Sequence, residues 1–279
     1  MKGPVKNTPS LTVRSPDGMV LRSLLSALGI YKAYLNWLRY EIKSGEKPKH
    51  IGIILDGNRR WAASRDLLPW EGHRAGAEKV RDVLKWCLDF DIRTITLYAF
   101  STENFQRDKK EVDELMALGE KFLQWVMKEE SIHRYRVKIK VIGRVSMLRE
   151  DLQRMIVQLE DMTKSYDRYF LNLAIAYGGR AEIIDAAKEV AAMAVKNEIS
   201  PDDITEEFFA EHLYTSHLPQ ADPDLIIRTS GETRLSGFLL WQSAYSEFCF
   251  MDVYWPDFRE IDLARAIRTY QRRGRRYGK

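Results

Sequence analysis

The segment Asp56-Gly-Asn-Arg-Arg60 combines residue types that together suit a diphosphate and a divalent cation. Gly57 permits a backbone turn that a Cβ would hinder, so that successive N–H groups can face an anion. The two arginines offer forked donors to phosphate oxygens. Asp56 would repel a diphosphate unless a cation bridges the two, and Mg²⁺ is held in this way by carboxylates and phosphates. The alternative for the pentapeptide alone is an ordinary β-turn with surface arginines.

A second loop, Arg228-Thr-Ser-Gly-Glu-Thr-Arg-Leu-Ser236, places two arginines and several hydroxyl groups around a glycine. Two cations in one loop repel each other unless an anion or a carboxylate lies between them. The loop therefore predicts a second phosphate site, and two solvated arginines are the alternative. Glu247 lies in an otherwise apolar stretch, where a carboxylate is either a paired core acid or a metal ligand.

Several other kinds of site are excluded by their missing motifs. The sequence has no Gly-x-x-x-x-Gly-Lys-Ser/Thr loop, no Gly-x-Gly-x-x-Gly after a strand, no His-Glu-x-x-His and no Gly-x-Ser-x-Gly. His73 is predicted to open a helix near the site and to contact phosphate. The chemistry is therefore expected to depend on Asp, Glu, Arg and a metal.

The charge of the chain is uneven along its length. The formal net charge is +4, and from Leu263 to Lys279 there are seven basic residues and no acidic one. Such a cluster suits phosphates on nucleic acid, a membrane surface or a small substrate, and a solvated chain end is the alternative. Cys87 and Cys249 lie in apolar stretches and are expected to be free thiols in a reducing cytoplasm.

The chain divides into three predicted parts. Residues 1–18 are rich in Pro, Gly, Ser and Thr and predict a mobile tail. Residues 19–45 hold an amphipathic helix, Met19–Ile42, and a short break, and this helix either packs on the domain or lies on a membrane surface. Of these we favour packing. Residues 46–279 form one domain, and no apolar run is long enough to span a membrane.

Strands and helices alternate through this domain. The predicted strands are Ile51–Leu55, Thr94–Phe100, Val137–Ile142, Phe170–Ala176, Leu225–Arg228 and Glu247–Val253. The predicted helices are Gly72–Phe90, Val112–Glu130, Arg149–Lys164, Ala181–Lys196 and Ile261–Arg272. This alternation predicts an α/β fold, a central mostly parallel sheet flanked by helices on both faces. Ligands of such sheets bind beyond the carboxyl ends of the strands, where both arginine loops occur.

Several ordered motifs resemble the cis-prenyltransferase family of the undecaprenyl diphosphate synthase type, from about His50 to Gly278. They are His50–Ala62, Tyr98-Ala-Phe-Ser-Thr-Glu-Asn104, Tyr177-Gly-Gly-Arg180, Ile227–Ser236 with Phe238-Leu-Leu-Trp-Gln242, and Val253-Tyr-Trp-Pro-Asp-Phe258. The resemblance implies a single α/β domain, a hydrophobic tunnel between sheet and helices, and a homodimer. It also implies transfer of an allylic isoprenoid diphosphate onto isopentenyl diphosphate, giving a Z-polyprenyl diphosphate whose length the tunnel limits.

The resemblance also assigns residues. Asp56 would hold Mg²⁺ with the allylic diphosphate, Asn104 would bear on proton removal, and Glu247 would assist the metal of the isopentenyl site. The allylic site would comprise Gly57, Asn58, Arg59, Arg60, Trp61, His73, Ser101, Thr102, Glu103, Phe105 and Arg107, with His73 also near the isopentenyl diphosphate. The isopentenyl site would comprise Arg228, Arg234, Ser236, Arg276 and Gly278, the last two reaching across the dimer.

Five positions depart from the family pattern, namely Pro69, Phe105, Arg144, Ala176 and Gly237. Pro69 stands where many members carry an arginine for the allylic diphosphate. We therefore leave open an atypical donor or acceptor, such as a short allylic diphosphate or a condensation that is not head-to-tail. A subunit of a heteromeric enzyme is less favoured because Asp56–Arg60 is intact. No nucleic-acid-binding motif is present, so a nucleic-acid partner is not expected.

Overall fold

The computed structural model describes residues 29–273. The tail predicted for residues 1–18, the first part of the helix predicted at Met19–Ile42, and the predicted site residues Arg276 and Gly278 lie outside this range.

One sheet of six strands forms the centre of the molecule. Its strands are β1 (His50–Ile54), β2 (Thr94–Ser101), β3 (Val137–Ile142), β4 (Tyr169–Tyr177), β5 (Leu225–Arg228) and β6 (Glu247–Phe250). Their order is β3-β4-β2-β1-β5-β6, and every neighbouring pair is parallel. The predicted α/β class and parallel sheet are thus confirmed.

Within residues 29–273, nine α-helices surround the sheet. They are α1 (Ile30–Lys43), α2 (Asn58–Ala63), α3 (Pro69–Asp89), α4 (Lys109–Lys128), α5 (Glu130–Arg134), α6 (Glu150–Thr163), α7 (Gly179–Val195), α8 (Glu206–Ala210) and α9 (Glu260–Arg272). Short 3₁₀ turns occur at Thr102–Gln106, Val145–Met147, Pro201–Asp203 and Trp255–Asp257. No helix in this described part of the chain is long and apolar enough to span a membrane.

The last strand is shorter than predicted. The sequence favoured Glu247–Val253, but β6 ends at Phe250. Beyond it, the backbone bonds to the loop after β5, because Ser230 N donates to Val253 O over 2.6 Å. This contact holds the end of β6 beside the loop that carries the second pair of arginines.

Alternate residues of the strands face two apolar layers. Leu97 belongs to a large core cluster that also contains buried residues of α1, α3, α4, α6 and α9. Its neighbour Tyr98 belongs to a smaller cluster with Phe238 and Leu239. This period of two is the pattern of a sheet buried on both faces.

Candidate active site

The carboxyl ends of three strands meet at one point of the sheet. Ile54 is paired with Tyr98 of β2 and with Arg228 of β5. Asp56 lies two residues beyond the end of β1, and Ser101 is the last residue of β2. The parallel register therefore brings the two arginine loops and the end of β2 together, as the sequence predicted.

Asp56 lies between two arginines. Its Oδ2 is 2.7 Å from the guanidinium of Arg228, and its Oδ1 is 3.4 Å from that of Arg60. Burial alone would raise the pKa of Asp56, but the hydrogen bonds and charges of the two arginines outweigh burial and hold the pKa below its ordinary value. Arg228 is buried, so this carboxylate is the counter-charge of a desolvated cation.

The backbone around Asp56 is fixed by Thr229 and Gly57. The Thr229 hydroxyl donates to Asp56 O over 2.6 Å and accepts from Asp56 N over 3.1 Å. Gly57 has φ +105°, and a Cβ there would lie 2.7 Å from Tyr254 Cδ1. Only glycine fits both the conformation and the space. Helix α2 begins at the next residue, Asn58.

Glu232 lies between two exposed arginines, Arg60 and Arg234. Its Oε1 is 3.0 Å from Arg60, and its other oxygen pairs with Arg234. Arg60 also donates to Ser230 Oγ over 2.6 Å. The two arginines of the second loop therefore have separate carboxylate partners, Asp56 for Arg228 and Glu232 for Arg234. A phosphate entering this loop would compete with Glu232 for the guanidinium groups of Arg60 and Arg234.

Ser236 is bound to Arg228. Arg228 donates to Ser236 Oγ over 2.8 Å while its other nitrogens reach Asp56. Of the predicted isopentenyl residues within the described range, the structure thus joins Arg228, Arg234 and Ser236 to the Asp56 side of the site.

Glu111 is a functional candidate that the sequence reasoning missed. Its Oε1 is 2.8 Å from Arg107, 3.2 Å from His73 Nε2 and 3.8 Å from Arg59. Burial raises the pKa of Glu111, but its hydrogen bond with His73 and the charge of Arg107 hold the pKa below the ordinary value. The available signal was its position four residues after Arg107, the spacing of ion pairs on a helix.

The end of β2 continues into a 3₁₀ turn that carries four predicted residues. Asn104 Oδ1 accepts from Ser101 N over 2.9 Å, which fixes the amide plane. Phe105 packs edge-on against Phe100, with ring centroids 4.9 Å apart. The remaining predicted residues of this turn are Thr102 and Glu103. Trp61 lies on α2 and donates from Nε1 to Asp257 over 2.9 Å.

A polar pocket of about 500 Å³ lies at this edge of the sheet. Its lining includes predicted site residues, namely Asp56, Asn58, His73, Ser101, Glu103, Asn104, Arg107, Arg228 and Ser236. An apolar cavity of about 130 Å³ shares Leu55, Asn58, His73, Phe100 and Leu115 with it. This cavity extends between the sheet and helices α3, α4 and α6, to Leu123, Ile156 and Leu173. It has the position and lining of the predicted hydrophobic tunnel.

Glu247 lies apart from Asp56. Glu247 is the first residue of β6 and pairs with Leu225, the first residue of β5. Asp56, in contrast, lies beyond the carboxyl end of β1, so the two carboxylates lie at opposite ends of the strands. Its carboxylate is 3.1 Å from Arg273. Among the described residues, no group of three or more His, Cys, Asp or Glu side chains forms a metal cluster. The structure therefore does not bring the two predicted metal ligands together within one chain.

The departures from the family pattern have local explanations in part. Ala176 and Gly237 have φ values of +50° and +79°, so the asparagine usual at both positions would suit the same left-handed backbone. Arg144 forms two hydrogen bonds with Asp185, at 2.9 and 2.8 Å. Pro69 is the first residue of α3, a position where a missing N–H is tolerated.

Residues 54–278 match the family model of the undecaprenyl diphosphate synthases. The chain belongs to this family. A tritrans,polycis-undecaprenyl-diphosphate synthase (geranylgeranyl-diphosphate specific) of Methanocaldococcus jannaschii is 52% identical over 90% of each chain. The enzyme with the same description from Methanopyrus kandleri is 51% identical, over 90% of this chain and 92% of its own.

The crystal structure of lavandulyl diphosphate synthase from Lavandula x intermedia, in complex with dimethylallyl diphosphate, has a TM-score of 0.81. It is 39% identical, and the match covers 84% of this chain and 99% of that one. This member of the undecaprenyl diphosphate synthase family is accordingly a cis-prenyltransferase, with the α/β fold of its relatives.

Proposed function

We propose that the protein transfers the chain of geranylgeranyl diphosphate to isopentenyl diphosphate and repeats the step to form a Z-polyprenyl diphosphate. The observation that carries this proposal is the junction of two compartments. A charged pocket with Asp56 and Arg228 adjoins an apolar cavity between the sheet and α3, α4 and α6. A diphosphate suits the first compartment and its hydrocarbon tail the second. The relatives described as geranylgeranyl-diphosphate specific support this donor.

The side chains of the pocket have distinct tasks in this reaction. The allylic C–O bond must break, which leaves negative charge on the departing diphosphate. Arg59 and Arg60 follow the turn at Gly57, on α2, and can stabilise that charge, mostly in the transition state. Arg228 and Ser236 are held together over 2.8 Å and can hold the isopentenyl diphosphate beside the allylic site. The double bond of the acceptor then attacks C1, and a proton leaves from the acceptor carbon near Asn104 or His73.

The residues of the pocket fit a divalent cation that is brought by its substrate. Asp56 is ionised, and it stands among arginines rather than among further carboxylates. This donor set suits Mg²⁺, which takes one or two carboxylates and completes its shell with phosphates and water. Bound Mg²⁺ would neutralise charge on the departing diphosphate. The metal role of Glu247 stays a prediction, as do the contacts of Arg276 and Gly278.

A homodimer and a cytoplasmic location are part of the proposal. The homodimer is supported by the family resemblance, and the cytoplasmic location by the two free thiols. Light scattering during size-exclusion chromatography measures the first, and a monomeric active enzyme would contradict it.

Product analysis with a panel of donors tests the proposed function. Labelled isopentenyl diphosphate would be incubated with dimethylallyl, geranyl, farnesyl or geranylgeranyl diphosphate, with Mg²⁺ or with a chelator. We expect long Z-polyprenyl products, the highest kcat/KM for the geranylgeranyl donor, and no product with the chelator. A single condensation confined to dimethylallyl diphosphate would overturn the proposal and favour the atypical donor that Pro69 left open.

A further inference from the structure

Helix α1 presents two apolar stripes on opposite faces. The inner stripe comprises Tyr31, Leu35, Leu38 and Ile42, of which Leu38 and Ile42 are fully buried in the core. This stripe accounts for the packing of α1 on the domain, chiefly on α9.

The outer stripe comprises Ile30, Ala33, Trp37 and Tyr40. Steps of three, four and three residues place these side chains on one face of a helix. The exposed fractions are 50% for Ile30, 46% for Trp37 and 80% for Tyr40. Packing on the domain therefore explains only part of the outer stripe, because about half of the surface of Ile30 and Trp37 and most of that of Tyr40 stay in solvent.

Basic side chains border the outer stripe. Lys32, Arg39 and Lys43 lie along one flank of α1 by helical spacing, and all three are exposed. On α9, Arg265 and Arg268 lie over the rings of Tyr34 and Trp37, at 5.2 and 4.8 Å.

The acidic groups of this surface are already engaged. Glu41 pairs with Arg268 and Arg272 over 2.8 and 2.7 Å, and Glu260 pairs with Arg39. Asp262 is 2.9 Å from Arg259. The surface of α1 and α9 therefore keeps an excess of cations around an exposed aromatic stripe.

We propose that α1 lies in the plane of an anionic membrane surface, with Trp37 and Tyr40 at the level of the lipid headgroups. Amphipathic rings prefer this region, and basic residues around them attract anionic lipids. Membrane contact would extend the proposed function, on which this step rests, because the polyprenyl product is a lipid. It does not depend on turnover, since the binding surface lies outside the catalytic pocket.

Flotation of the full-length protein with vesicles tests this surface. The vesicles would contain phosphatidylcholine alone or phosphatidylcholine with phosphatidylglycerol, at low and high salt. We expect binding to the anionic vesicles only, weakened by salt. The double variant Trp37→Ser, Tyr40→Ser should bind the vesicles at least about tenfold more weakly, because two aromatic side chains no longer insert.

A matched control uses exposed apolar residues elsewhere. Ile184 and Val195 of α7 are 51% and 82% exposed, and Ile184→Ser, Val195→Ser should bind as the wild type does. Thermal unfolding and turnover in detergent show whether both variants are folded and active. Equal binding of wild type and stripe variant overturns the proposal, as does absence of wild-type binding. A change of oligomeric state in the stripe variant also overturns it, since the stripe would then be a contact between chains.

Discussion

Asp56 and Arg228 neutralise each other's charge in the site. Arg228 is buried, and a buried guanidinium without a counter-charge is strongly destabilising. The same carboxylate is the candidate metal ligand. Any cation and diphosphate that enter must therefore keep Arg228 satisfied, which a phosphate oxygen can do.

Replacement of Asp56 tests both of its roles, as the counter-charge of Arg228 and as the candidate metal ligand. Asp56→Asn keeps an amide oxygen for Arg228 but removes the charge, so we expect kcat to fall about 10²–10³-fold. The free energy of unfolding should fall by about 1–3 kcal/mol, because the buried guanidinium loses an ionic partner. Steady-state kinetics and denaturant unfolding measure the two effects. Asp167→Asn, which removes the partner of Arg136 at the surface, is the matched control and should change neither.

Glu111 offers a second test at a single residue. Burial lowers the pKa of His73, and the hydrogen bond that His73 donates to Glu111 raises the pKa in opposition. Glu111→Gln removes that opposing interaction, so the pKa of His73 should fall further. NMR titration of the His73 ring, assigned with His73→Gln, measures the pKa. A higher pKa in the Glu111 variant would contradict the assigned role. We expect kcat/KM to fall about tenfold, as Arg59 and Arg107 lose their shared partner.

Among the elements, α4 decides how far a hydrocarbon tail can extend. It lines the apolar cavity with Leu115, Met116, Gly119, Phe122 and Leu123. Gly119 is notable because a Cβ there would meet no atom within 4 Å. Space beside a helical glycine means that a side chain can be added toward the cavity without a clash.

Gly119→Leu should therefore shorten the products. The added side chain would occupy part of the cavity, while removal of a helical glycine stabilises the fold by about 1 kcal/mol. Thin-layer or reversed-phase analysis of the products measures length, and thermal unfolding measures stability. Asp113→Leu, on the exposed side of α4, is the control and should leave product length unchanged. Unchanged product length in the Gly119 variant would mean that the tail takes another path.

The elements themselves were predictable where their patterns are local. Val137–Ile142 and Leu225–Arg228 were predicted with the observed bounds, since short β-rich runs between polar residues are unambiguous. The end of β6 was not predicted, because Met251 and Val253 are as apolar as the strand, and only contacts with the loop after β5 end the strand.

Of the site residues, Asp56 and Arg228 were predicted from the rule that ligands bind beyond the carboxyl ends of parallel strands. Glu111 was not predicted, because the local sequence does not distinguish an ion pair on an exposed helix surface from a buried cluster of charges.

Across the sheet, a buried histidine belongs to a hydrogen-bond network that joins β1, β2, β4 and the segment just before β5. His50 Nδ1 donates to Gln220 O over 3.1 Å, so Nε2 accepts from Thr96 Oγ over 2.8 Å. Asn172 of β4 in turn donates to Thr96 over 3.3 Å. Asp224, just before β5, accepts from His50 N over 3.0 Å. Burial of the ring favours the neutral imidazole.

This network predicts the response of the fold to acid. Burial lowers the pKa of His50 from 6.5 to about 4. The unfolded chain then binds a proton that the folded chain does not, so stability is complete above pH 6.5 and falls as the pH drops toward 4. The loss for His50 would be roughly 3 kcal/mol. Denaturant unfolding from pH 7.5 to 4.5 measures this slope. His50→Gln should be less stable at neutral pH and should show a shallower slope, and an unchanged slope would contradict the role of His50.

The size of the apolar cavity has a consequence for how length is controlled. A cavity of 150 Å³ accommodates benzene, so the 130 Å³ beside the pocket holds roughly one five-carbon unit, less than the tail of the proposed geranylgeranyl donor. A longer tail must push apart the walls that α3 and α4 provide. Each added unit would then work against side-chain packing, and the chain would stop growing when that work exceeds the gain from burying the unit. Product length becomes a balance of free energies rather than a fixed depth, and it should lengthen as warming loosens the helices.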